Sequence, residues 1–363
     1  MSEKLYVYIG TYDGSLPNVD GKRRGIHVYG LNPHTGELTY ASHNDSAANP
    51  SYVAISGDRR FLYSVDEHRV GSDQRGALSA YAIDPETKAL TFLNRKPTPG
   101  ARPCHVSLDK SAHWALVANY VAGNVSVLPI RADGTLGDAV ETVQHYGCST
   151  HPKRQQDPHA HQIVTDSSNR YAFVPDLGLD KIMIYGFDGD TGRLTPAAPA
   201  FVRTHPGGGP RHFAMHPSER FAYAINELDS TITVFTFCNG MLDVIQTIST
   251  LPGCFGGLNM TSAIKVHPSG KFVYGSNRGH DSIAMFFVDD MTGKLQNMGY
   301  ELTHGITPRD FDLDPAGGLL VVANQDTDNV TSFKVDKHSG CLTSTGMVAT
   351  VHKPSCVLVV ACA

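Results

Sequence analysis

Apolar positions along this chain fall into short runs of about six residues, bounded by Gly, Pro, Asn and Asp, and none recurs at helical spacing over a sustained stretch. The runs are rich in β-branched and aromatic residues, which suit a pleated, half-buried surface. The elements they predict are strands throughout.

The strands repeat. PSYVAISGDRRFLYSVDE, PCHVSLDKSAHWALVANY, AHQIVTDSSNRYAFVPDL, PRHFAMHPSERFAYAINE, TSAIKVHPSGKFVYGSNR and PRDFDLDPAGGLLVVANQ align without gaps. They begin at anchor residues Pro50, Pro103, Ala160, Pro210, Thr261 and Pro308, so the spacing runs from 47 to 57 residues. That period marks one four-stranded blade per unit, in the kelch-like range and above the roughly 40–45 residues of WD40 blades. Each unit opens with a hairpin turning at a polar motif such as His267-Pro-Ser-Gly270. A second hairpin follows, as in SIAMFFVDDMTGKLQNMG with Thr-Gly at its turn.

Both ends carry part of a further unit. KPSCVLVV, with its anchor at Pro354, supplies a first strand, and LYVYIGTY with GIHVYGLNPHTGELTYAS supplies the other three. Residues 1–48 and 353–363 therefore form a composite blade, and their pairing removes the free edge of an open array. The expectation is a single all-β domain over residues 1–363. It is a seven-bladed β-propeller of four-stranded antiparallel sheets, closed by N-terminal strands pairing with the C-terminal strand.

A hairpin returns the chain to its starting rim, so the residues one and seventeen after each anchor share that rim with the long connections Asp13–Arg24, His68–Gly76, Val140–Pro158 and Leu251–Met260. Variable loops mark it as the functional one. Sixteen after the anchor, Asp66, Asn119, Asp176, Asn226, Asn277 and Asn324 recur in every complete blade and read as loop caps. Asp176 is also kept as a substrate-binding candidate. The neighbouring series do not recur. Ser51, Cys104, His161, Arg211, Ser262, Arg309 and Ser355 stand one after the anchor, and Glu67, Tyr120, Leu177, Glu227, Arg278 and Gln325, with Tyr12, stand seventeen after. A repeat has no need of three arginines, a histidine and a glutamate at matched positions. Rim salt bridges of about 0–1 kcal/mol each are the structural alternative. The excess of arginine favours an anionic ligand, because a guanidinium binds carboxylate or phosphate as a planar fork.

Composition narrows the function classes. Glycine is 35 of 363 residues, which suits many tight turns. The net charge of -5 and the absence of a basic stripe argue against nucleic acid. No apolar stretch reaches the about 18 residues of a membrane span, and the N-terminus lacks a signal-peptide pattern, so no membrane association and a cytoplasmic location are expected. The seven scattered cysteines contain no CxxC pair and predict no disulfide framework.

DPHAHQ, PDLGLDKI, GGGPRHFAMHP, INELDS, SNRGHDSIA and TPRDFDLDP resemble motifs of the seven-bladed propeller lactonase family, over essentially the whole chain. That family includes 6-phosphogluconolactonases and carboxy-cis,cis-muconate lactonising enzymes. The resemblance implies an active site at His161, Arg211, Glu227 and Arg278. Ala160 stands where many relatives have Pro, which leaves His159 and His161 as alternatives for the channel-facing histidine. The implied reaction is hydrolysis of a sugar lactone, with 6-phosphogluconolactone foremost. His161 or Glu227 acts as base, and Arg211 and Arg278 steady the oxyanion. Lys153, Arg154 and Arg309 are candidates to hold a phosphate or carboxylate, and His159, His212, Glu67 and Gln325 complete the substrate-binding set.

Two rivals remain: muconate cyclisation on the same arginines, and a non-enzymatic small-molecule-binding propeller. Gly207-Gly208-Gly209 reads as an inter-blade connector rather than an anion nest. His145, His151, His159 and His161 lack the carboxylates that would complete a metal site, so no metal or other cofactor is expected. The partner expected is a small anionic substrate, with the chain itself a monomer or weak homodimer.

Overall fold

The computed structural model describes residues 4–12, 24–70 and 75–362. Most of the predicted rim loop Asp13–Arg24, and residues 71–74 of His68–Gly76, lie outside the described residues.

Strands assemble into seven antiparallel four-stranded sheets. Beyond them, the described residues hold one short 3-10 turn, Gln325–Thr327. In the closing sheet, Pro354–Cys362 lies innermost beside Lys4–Thr11, followed by Ile26–Leu31 and Leu38–Asn44. The seam registers Lys4 with Cys362 and Val7 with Val359, and shifts between Gly10 and Thr11. The ring is therefore closed by N-terminal strands pairing with the C-terminal strand, as predicted.

Every blade is covered on both faces by its neighbours, which explains why three of the second strands are buried end to end. Trp114–Asn119, Phe221–Asn226 and Leu319–Asn324 have no exposed residue. Outermost strands alternate instead, as in Glu141–Gln144. The core consists of separate slabs between adjacent blades rather than one central mass. Val7, Ile9, Val357 and Val359 pack on Val321 and Val330 at one side of the seam. Tyr8, Val28 and Cys356 pack on Leu62 and Tyr81 at the other. Opening the ring would expose one such slab.

The short turns of the rim opposite the long loops also tie blade to blade. His216 Nε2 bonds Gly270 O at 2.8 Å, and His267 Nε2 bonds Gly317 O at 2.9 Å. Gly270 has φ +75°, and a Cβ there would stand 2.7 Å from His216 Nε2, so this turn requires glycine.

Candidate active site

A backbone device recurs at the mouth of each blade. The residue before the anchor is left-handed in five blades: Asn49, Arg102, Gly209, Thr307 and Lys353. Its carbonyl accepts the N–H of the residue seventeen after the anchor, as in Glu227 to Gly209 at 2.7 Å, Tyr120 to Arg102 at 2.9 Å and Tyr12 to Lys353 at 3.0 Å. Register then shifts just past the anchor, at Pro103, Pro210, Thr261 and Pro308. Such a bulge re-aims the next side chain. Cys104, Arg211, Ser262 and Arg309, one after these anchors, thereby leave the regular strand register.

The recurring Asn and Asp residues hold this device together. Asn226 Nδ2 donates to Thr231 Oγ1 and Thr233 Oγ1 at 2.8 and 2.9 Å, and Asn277 Nδ2 donates to Thr250 O at 2.8 Å. Asp176 is of the same kind, and its substrate-binding role is corrected. It is fully buried, accepts the N–H groups of His159 and Gly178, and meets His145 Nδ1 at 2.6 Å.

Above this layer opens a cavity of about 840 Å³. Of the predicted residues, His161, Glu227, Arg278, Arg309, Arg154, Glu67 and Gln325 line it. Glu227 is its electrostatic centre. One carboxylate oxygen lies 2.6 Å from Arg154 Nη2, and the other lies 2.9 Å from Arg278 Nη2 and 3.1 Å from Arg211 Nε. Burial would raise the pKa of this carboxyl, but the guanidiniums of Arg278, Arg211 and Arg154 outweigh it and hold the group far below the usual carboxylate range. Glu227 is therefore an organiser of cations and a poor base.

Of the two candidate bases, His161 is the one that is uncharged and ready to accept a proton. It is 6% exposed, and burial followed by the charge of Arg211 keeps its pKa well below the ordinary imidazole value. The ring is neutral near pH 7. Nδ1 is buried without a partner, and Nε2, which makes no protein hydrogen bond among the described residues, is left as the nitrogen open to the cavity. The alternative left open by Ala160 is resolved, because His159 stacks on Tyr120 with ring centroids 4.5 Å apart and bonds Tyr120 O through Nδ1. It buttresses the wall from outside the cavity.

Three further assignments are corrected. Arg211 does not line the cavity. It lies beneath the floor at 3% exposure, with Nη1 donating to Ser262 O at 2.8 Å and facing His212 Nε2 at 3.2 Å. Burial and the charges of Arg278 and Arg309 lower its pKa to about 10, so it stays cationic near neutrality. His212 belongs to a deeper layer, its ring 5.4 Å from His161 and 5.9 Å from His105. Lys153 is exposed and away from the cavity, because its loop is pinned through neighbours: Gln155 Nε2 donates to Leu177 O and Asp180 Oδ1. The glycine run is a connector, its Gly207 and Gly209 N–H groups both donating to Asp180 at 2.7 Å.

Tyr120 and Tyr12 of the seventeen-after series also line the cavity, as do three residues outside both series, Arg102, Asn49 and Met260. Arg102, Asn49 and Met260 precede their anchors. That series, running Asn49, Arg102, His159, Gly209, Met260, Thr307 and Lys353, is as irregular as the two that were used and carries the same signal. Cys104 lines the cavity too, but burial pushes its thiol pKa far up, which removes it as a nucleophile.

Fold and site define a closed seven-bladed propeller with an arginine-lined polar cavity at one mouth of its channel. Residues 6–359 match the family described as Lactonase, 7-bladed beta-propeller. The chain belongs to that family. It is 37% identical over 356 residues to a 6-phosphogluconolactonase of Bacillus subtilis, covering 98% of each chain. It is 31% identical over 339 residues to a 6-phosphogluconolactonase of Formosa agariphila, covering 93% of this chain and 94% of that one. Among solved structures, the periplasmic gluconolactonase of Pseudomonas aeruginosa superposes with a TM-score of 0.91 at 34% identity, over 99% of this chain and 100% of that one.

Proposed function

We infer that this chain is a lactonase that hydrolyses 6-phosphogluconolactone to 6-phosphogluconate. The carrying observation is the charge of the site beside a neutral imidazole. Counting Arg211 under the floor, five arginines (102, 154, 211, 278 and 309) face two glutamates, an excess of three positive charges. A phosphorylated sugar acid carries about three negative charges near pH 7, two on phosphate and one on carboxylate. The two relatives named 6-phosphogluconolactonase support the same substrate.

The reaction needs a base, a water and a charge to receive an oxyanion. Water attacks the lactone carbonyl as His161 takes its proton, the C–O bond forms, and the carbonyl electron pair moves onto oxygen. Collapse of that oxyanion restores C=O and breaks the bond to the ring oxygen, which takes the proton from the imidazolium. The acid formed then ionises, so each turnover releases one proton. Glu227 holds Arg154, Arg211 and Arg278 in place throughout.

Proton release on 6-phosphogluconolactone and on unphosphorylated gluconolactone, measured side by side, tests the reading. Faster turnover of the phosphorylated lactone is expected, and turnover of neither would overturn it. Seven free thiols, four of them exposed, support a cytoplasmic, reducing location, which fractionation of the source cells checks. The enzyme is proposed to act as a monomer or weak homodimer, which sedimentation at several concentrations checks.

A further inference from the structure

Of the arginines that line the cavity, Arg309 and Arg102 are not drawn into the Glu227 cluster, and Arg309 is the half-buried one held by a relay. Arg154, Arg211 and Arg278 all contact that carboxylate within 3.1 Å. Arg309 makes no ion pair among the described residues. Its Nη2 donates to the Tyr12 hydroxyl at 2.7 Å, and its guanidinium sits 4.9 Å from the centre of the Tyr12 ring. The Tyr12 hydroxyl in turn donates to Glu67 Oε2 at 2.7 Å, and Ser51 Oγ donates to the same oxygen at 2.6 Å. This relay spans three consecutive blades and crosses the ring-closing seam, since Tyr12 follows the strand that pairs with Pro354–Cys362.

A guanidinium has five N–H donors. One of Arg309's is used by protein, and none of the rest is buried without a partner, so the unused donors open on the cavity. Arg309 and His161 line the same cavity, so a lactone held there can meet both.

We propose that Arg309 is a catalytic residue that stabilises the oxyanion formed on the lactone carbonyl, oriented by the Tyr12–Glu67–Ser51 relay, and that Arg211 is a positioning residue beneath the floor. This rests on the lactonase reading. When water adds at C1, the electron pair displaced onto the carbonyl oxygen faces the free Arg309 donors, and it returns to re-form C=O as the ring C–O bond breaks. Rigid alignment matters because such donors act only where charge develops. Tyr12 and Glu67 fix the guanidinium without neutralising it.

The test uses the full chain and 6-phosphogluconolactone, with kcat, KM and melting temperature measured for the parent, Arg309→Met, Arg309→Ala, Tyr12→Phe and Arg211→Ala. Arg309→Met is expected to lower kcat by about 10²–10³-fold, as for loss of an oxyanion donor, with KM changed less than about threefold. Added guanidinium ion should restore part of the kcat of Arg309→Ala and none of that of Arg211→Ala. Tyr12→Phe keeps the ring under the guanidinium and loses only the hydroxyl, so kcat should fall with KM held. Parent-like kcat in Arg309→Met, or a loss confined to KM, overturns the proposal while leaving the lactonase reading intact. A parent that turns over neither lactone overturns the reading itself.

Discussion

Glu227→Gln probes the organisation of the site most sharply, because it removes one charge and keeps the side chain's shape. In the parent, one carboxylate serves Arg211, whose side chain is 4% exposed, Arg278 at 10% and Arg154 at 33%. The contact with Arg154 is discounted as largely solvent-screened. The other two guanidiniums are left buried beside a neutral amide, and removing one partner of such a group costs about 3–5 kcal/mol. With an unfolding entropy of ~2.1 cal/mol/K per residue over 363 residues, that is a fall of about 4–7 °C in melting temperature. Melting followed by circular dichroism, with and without 6-phosphogluconate, reads it. The variant should melt lower than the parent and gain more from the ligand, whose carboxylate and phosphate replace the missing charge. Adding Arg211→Met should recover part of the loss as a coupled pair. A variant that melts within 1 °C of the parent, as an ~1 kcal/mol effect would give, and responds equally to ligand refutes the three-arginine clamp.

Arg102 is exposed on the cavity and pairs with no carboxylate among the described residues, which suits it to the phosphate. Arg102→Gln should then raise KM for 6-phosphogluconolactone by about tenfold, the loss of one charge-assisted contact, and leave kcat and the KM for unphosphorylated gluconolactone unchanged; equal effects on both lactones would rule that role out. Burial holds the pKa values of His105, His161 and His212 well below their ordinary value. Below about pH 6.5 the unfolded chain therefore takes up protons that the folded one refuses, and each histidine removes about 1.4 kcal/mol per pH unit until its folded pKa is reached. Melting temperature should fall from pH 6.5 to 5 while kcat shows no acid limb near 6.5, and flat melting over that range would contradict the buried neutral rings. Truncation before Pro354 uncovers the slab of Val357 and Val359 against Val7 and Val321, so it should yield insoluble or unfolded chain; a soluble product with parent-like circular dichroism would show that the seam is dispensable.

The ring was legible from sequence because its determinants are local and repeated. An anchor, two apolar runs and a polar turn define each blade, and half-units at the ends leave one way to close. Depth within the channel was not legible. Arg211 and Arg309 both stand one residue after a proline anchor, yet one is locked under the floor by Ser262 O and Glu227 while the other opens on the cavity beside Tyr12. Ser262 and Tyr12 lie in other blades, and Tyr12 is 297 residues from Arg309; within the repeat, the rim residue that sets the two arginines apart is the one seventeen after the anchor, Glu227 for Arg211 and Gln325 for Arg309. Arg102 was overlooked because its side chain leaves a left-handed residue before the anchor, outside the strand register used for the reading. Lys153 sits in a loop that follows no repeat, where position along the chain implies no direction in space. Asp176 belonged to the recurring series, and its recurrence was the better guide to its structural role.

The most direct test of a lactone-hydrolysing cavity built on His161 and the rim arginines is a crystal structure of the chain with bound 6-phosphogluconate. The account predicts the sugar acid inside the 840 Å³ cavity, its carboxylate between His161 and Arg309 and its phosphate toward Arg102. Product bound at the opposite rim, or in the cavity with its carboxylate away from both His161 and Arg309, would contradict it.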